Sequence, residues 1–62
     1  MKAICKLDYG QFEMFKTYNY SYTQKQNKLI FYVEGLYGTT EFNKKQFDTL
    51  FNQINNNNKK QI

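Results

Sequence analysis

Between Gln11 and Thr23 the chain alternates almost without a break. Phe12, Met14, Lys16, Tyr18, Tyr20 and Tyr22 fall on one face, and Glu13, Thr17, Asn19, Ser21 and Thr23 fall on the other. A period of two is that of a pleated strand, whose successive side chains leave on opposite sides, so a helix is excluded here. At about 3.3 Å per residue a straight strand of this length would run roughly 43 Å, too long for a small domain. The segment must therefore bend. Phe15 is the one residue that disobeys the pattern, so a bulge is expected at Phe15-Lys16, re-aiming the tyrosines that follow.

The flanking segments supply partners for this strand. From Lys2 to Tyr9, Ala3, Cys5, Leu7 and Tyr9 share a face, and only Ile4 interrupts the polar side. That pattern predicts a half-buried strand, with a turn at Tyr9-Gly10 because glycine accepts the positive φ of hairpin turns. After the polar break Gln24–Asn27, residues 28–34 are apolar on both faces and rich in β-formers, as in a strand covered on both sides. A tight turn at Glu34-Gly35 and a short fourth strand over Thr39–Phe42 complete the series.

At Asn43 the period changes. Phe47, Leu50, Phe51 and Ile54 are spaced as on one face of a helix, with Lys44, Lys45, Asp48, Asn52 and Gln53 on the remaining faces. Asn43 is a good N-cap, and Gln46 stands where a capping-box partner belongs. The helix is expected to start at Lys44 and to end in the run Asn55–Asn58, since Asn is a poor interior helix residue that tolerates a left-handed cap.

The fold class that follows is α+β: an antiparallel meander of about four strands with one C-terminal amphipathic helix across one face, in the order β-β-β-β-α. Residues 1–55 form a single domain, and 56–62 are a solvated Asn/Lys-rich tail. At 62 residues a chain buries only about 60% of its unfolded surface, so stability rests on whatever large side chains it owns. Here they are six Phe and six Tyr. A buried Phe contributes roughly 1.5 to 3 kcal/mol, enough for a few rings to offset much of the entropy of ordering the chain.

Several function classes are set aside by what is missing. There is no His, a single Cys and five scattered carboxylates, so no general base, activated nucleophile, zinc set or calcium loop is recognisable. No phosphate-cradling glycine motif occurs, and no cofactor is expected. The expectation is a non-enzyme. One unpaired Cys and no unbroken apolar run point to a reducing, cytoplasmic setting without membrane attachment.

Binding remains. All nine basic residues are Lys, giving a net charge of +4 without Arg, so the chain attracts anions but lacks the main tool of base-specific readout. Lys, Asn, Tyr, Phe and Ile share A/T-rich codons, so the bias reads in part as that of a low-GC genome. Tyr18, Tyr20 and Tyr22 share a strand face, and Lys16, Lys25 and Lys28 lie near them in sequence. These six residues form the candidate binding site. The first expectation is a small protein that occludes a host or cognate protein through a Tyr-rich surface, in the general manner of phage or plasmid inhibitors. The alternative is single-stranded nucleic-acid or nucleotide binding, with Tyr stacking on bases and Lys neutralising phosphate. An ordinary core role for the tyrosines competes with both. One helix covers only one sheet face, so a homodimer through the other is also expected.

Overall fold

The computed structural model describes residues 1–54; the expected tail, 56–62, lies outside the described residues. Among the described residues five strands and one helix follow in the order β1 (Lys2–Cys5), β2 (Thr17–Lys25), β3 (Lys28–Gly35), β4 (Gly38–Asn43), α1 (Lys44–Leu50) and β5 (Phe51–Gln53). All neighbours in the sheet are antiparallel, in the spatial order β4-β3-β2-β1-β5. The architecture is the α+β meander with a helix that the sequence pattern implies, extended by a fifth strand after the helix.

Turn chemistry sets the registers. The β2–β3 turn places Gln26 and Asn27 at φ 49° and 69°, the two consecutive positive values that suit the right-handed twist of a hairpin. The β3–β4 turn is Leu36-Tyr37, closed by the pair Gly35 and Gly38. It thus falls two residues later than the expected Glu34-Gly35, because β3 keeps pairing through Gly35.

The helix begins where expected. Gln46 N–H donates to Asn43 Oδ1 at 2.7 Å, and Asn43 N–H donates to Gln46 Oε1 at 3.0 Å, closing the capping box in both directions. It ends earlier than its periodicity suggests, at Leu50, and Phe51 is extended at φ −134° and ψ 149°. Phe51 faces the core in either conformation. What decides is the free edge of β1, which β5 covers by pairing Cys5 with Phe51 and Ala3 with Gln53. Lys6 N–H to Leu50 O at 2.7 Å and Ile54 N–H to Lys2 O at 2.9 Å extend that pairing at both ends.

Alternation along the strands points Ala3, Cys5, Tyr20, Phe31, Val33, Phe42 and Phe51 to one face, where Phe12, Phe47 and Leu50 close over them. Phe47 is fully buried at the centre. Its ring stacks on Phe31 at 4.2 Å and 9°, on Phe51 at 5.3 Å, and meets Tyr20 at 4.9 Å. Phe12, from the loop between β1 and β2, packs edge-on against Phe51 at 5.6 Å and Phe42 at 5.9 Å. Ile4, Ile30 and Tyr32 lie half-buried on the opposite, mostly polar face.

Removing the central ring should be close to unfolding. Phe47→Ala is expected to cost about 3 to 5 kcal/mol, against a total of roughly 3 to 9 kcal/mol for a domain of this size. Urea denaturation checks this; a midpoint unchanged from wild type would contradict the central place of Phe47.

Candidate functional site

The feature that distinguishes one end of this molecule is a divergence within the sheet. β1 pairs with the first part of β2, Thr17 to Asn19, whereas β3 pairs only with the remainder, Tyr20 to Lys25. Asn19 and Glu34, next in the β2–β3 register, do not pair. A groove of about 380 Å³ opens there, with Glu13 and Lys16 of the β1–β2 loop on one side and Glu34, Gly35 and Leu36 on the other.

The first wall is a tight turn, Glu13–Lys16, in which Lys16 N–H donates to Glu13 O at 3.1 Å. Phe15 occupies its third position at φ 71°. In such a turn glycine is the ordinary occupant, because a Cβ in the left-handed region meets its own backbone. Four acceptors hold four consecutive N–H groups. Glu13 donates to Tyr18 Oη at 2.8 Å, Met14 to Asp8 Oδ1 at 2.8 Å and Phe15 to Cys5 O at 2.8 Å, with Lys16 N–H as above. The Phe15 side chain is nonetheless 77% exposed. The Lys16–Glu13 ion pair at 3.3 Å is open to water and adds little.

The second wall is the Leu36-Tyr37 turn, whose side chains are 87% and 86% exposed. One side chain braces it: Gln11 Oε1 accepts from Tyr37 N–H at 2.7 Å, and Gln11 Nε2 donates to Gly38 O at 3.2 Å and reaches Thr40 Oγ1 at 3.4 Å. Gly35 leaves room for this brace, since a Cβ at that position would overlap the Gln11 amide as it is placed. Gln11 is aimed by its own two-residue turn, where Gly10 takes φ 56° and Tyr9 and Phe12 exchange both backbone hydrogen bonds at 2.9 and 2.8 Å.

The six residues singled out from the sequence are distributed differently. Tyr20 is 6% exposed between Phe31 and Phe47, and burial raises its phenol above the ordinary range. Tyr18 is half-buried, its ring edge-on to Phe12 at 5.0 Å and its hydroxyl holding the Glu13 turn. Tyr22 is 52% exposed, with its ring 5.6 Å from Phe31. Lys16 stands on the groove, while Lys25 and Lys28 face each other beside the β2–β3 turn. By strand alternation they lie on the face opposite the tyrosines. Tyr18 and Lys16 are thus brought together at the groove; Tyr20, Tyr22, Lys25 and Lys28 are not.

Phe15, Leu36, Tyr37 and Gln11 were absent from that set. Phe15 carried one signal, its break in the alternation, and Leu36-Tyr37 carried another, two large apolar residues bracketed by glycines. Gln11 carried none. Cys5 is buried, donates its thiol to Leu7 O at 3.0 Å and is pushed above its ordinary pKa by burial, the reverse of an activated nucleophile. Among the described residues no three His, Cys, Asp or Glu side chains group closely enough to hold a metal ion, and no helix is long and apolar enough to cross a membrane. Comparison with protein-family models, curated proteins and solved structures returned no match.

The strain at Phe15 is measurable. A non-glycine residue in the left-handed region costs about 1 to 2 kcal/mol, of which glycine's greater unfolded-state entropy would take back about 0.4 to 1. Phe15→Gly should therefore stabilise the protein by about 0.5 to 1 kcal/mol, raising the thermal midpoint by a few degrees. A midpoint lowered by this substitution would show that the Phe15 ring contributes to the fold.

Proposed function

We propose that this is a non-catalytic binding protein that holds a partner protein against the groove between the Glu13–Lys16 and Leu36-Tyr37 turns. The observation that carries the reading is Phe15, an aromatic ring 77% exposed on a backbone at φ 71°. Strain that the surrounding structure over-determines, at a side chain the core does not use, is the pattern of a residue kept for contact. Aromatic anchors on a rigid support lose little entropy on docking, and such residues dominate interface energetics.

The groove is lined by Leu36 together with Glu13, Lys16 and Glu34 of both signs, and Phe15 is exposed on the turn that carries Glu13 and Lys16. Mixed charges beside apolar anchors suit a protein surface better than a polyanion, whose phosphates Glu13 and Glu34 would repel. Occluding a working surface of the partner, as an inhibitor does, is the mode of action open to a chain with one small core.

Capture from a cell lysate on immobilised wild type, Phe15→Gly, Leu36→Ser and Tyr22→Ser, each with and without nuclease, tests this. The expected result is a nuclease-resistant protein partner whose binding falls at least tenfold in Phe15→Gly, the loss typical of an anchor residue, weakens in Leu36→Ser and is unchanged in Tyr22→Ser. Equal capture by Phe15→Gly would overturn the assignment. Nuclease-sensitive capture, falling steeply with salt, would favour nucleic-acid binding instead.

A further inference from the structure

Among the described residues nothing pairs with the outer edge of β4, and that edge has a specific hydrogen-bonding pattern. Gly35 and Gly38 close a two-residue turn, and the pair closing such a turn exchanges both backbone bonds, as Tyr9 and Phe12 do. Alternation along the ladder then turns Gly38, Thr40 and Phe42 toward β3 and Thr39, Glu41 and Asn43 outward. Asn43 is already engaged: its N–H goes to Gln46 Oε1 and its carbonyl opens α1. Thr39 and Glu41 remain, each with one N–H and one C=O directed away from the sheet. The strand carries no Pro, no Lys and no bulge, the usual devices that blunt an edge.

We propose that this edge pairs with the same edge of a second copy, antiparallel about a two-fold axis at Thr40, and continues the sheet from one chain into the other. Two constraints select this occupant and this register. Both copies must present their helix-covered faces on the same side, which restricts the register to steps of two residues. Of the two registers centred on the strand, one sets Glu41 against Glu41 of the second copy and needs Asn43, whose groups are used. The other sets Thr39 against Glu41 of the second copy, twice, so all four free groups of each chain are satisfied and Thr40 meets its own equivalent. In that register Tyr37, 86% exposed, falls opposite Asn43 of the other copy. The pairing does not rest on the function proposed above.

Sedimentation equilibrium on the full chain tests it, from about 10 µM to 1 mM, the range in which interfaces of small area associate. The expected result is a monomer–dimer equilibrium. Glu41→Pro deletes one outward N–H without touching the β3–β4 ladder and should leave a folded monomer. Thr39→Lys, which places a cation opposite Glu41 of the second copy, should tighten dimerisation at least threefold, and Thr39→Glu should weaken it by as much. These two changes, at an exposed position, keep the test decisive if Glu41→Pro fails to fold. Wild type that stays monomeric throughout, or a dimer indifferent to the Thr39 exchange, overturns the proposal.

Discussion

The stack of Phe31, Phe47 and Phe51 is the contact on which the rest of this structure depends. It joins β3, α1 and β5 through three rings, with Phe47 at 4.2 Å from Phe31 and 5.3 Å from Phe51. No disulfide supports the fold, since Cys5 is a single free thiol. A seven-residue helix is too short to be stable alone. It persists because Phe47 and Leu50 are buried against the sheet and because the Asn43–Gln46 capping box satisfies its first amides. Once the helix is placed, Phe51 arrives at the edge of β1, and β5 follows from that position.

The surfaces open to a partner are built on the same core but are not part of it. Phe12 anchors the β1–β2 loop by packing against Phe42 and Phe51, and its neighbour Gln11 then reaches across to brace the β3–β4 turn. Tyr18 does a similar service with its two ends, the ring against Phe12 and the hydroxyl on the Glu13 turn. Rigid, hydrogen-bonded turns that display Phe15, Leu36 and Tyr37 are therefore a consequence of how the core is closed. Their exposed rings add little to the stability that the core supplies, which is the reason to connect them with binding.

Local patterns made much of this fold legible. Alternation located the tyrosine stretch of β2, and the spacing of Phe47, Leu50 and Phe51 with Asn43 ahead of them located the helix start. The alternating residues 11–16, however, are two tight turns and not the first part of a bulged strand, because the Tyr9–Phe12 and Glu13–Lys16 backbone bonds close there and β2 begins only at Thr17. The β3–β4 turn likewise falls at Leu36-Tyr37 and not at Glu34-Gly35. Long-range competition was not legible. Phe51 reads as helical by period, and nothing near it in sequence says that β1 lacks a neighbour on one side. The tyrosine alternation was read correctly as one face of a strand, but whether that face meets solvent or Phe47 depends on where the helix lands. The site itself turns on the sign of φ at Phe15 and on the reach of Gln11. Neither leaves a composition signal, because the turn residue that would advertise a positive φ is glycine and this turn has none.

The central claim is that the Glu13–Lys16 turn is held rigid by the surrounding structure while it carries an exposed, strained aromatic. Residue-resolved amide hydrogen exchange in the native protein tests it most directly, because each of the four consecutive amides from Glu13 to Lys16 has its own acceptor. The account predicts protection at all four that approaches that of β2, since opening the turn would require releasing Tyr18 and the Cys5 carbonyl together. Exchange of Met14 and Phe15 at the rate of an unstructured peptide would contradict it, for a turn that opens freely neither stores strain nor presents Phe15 to a partner.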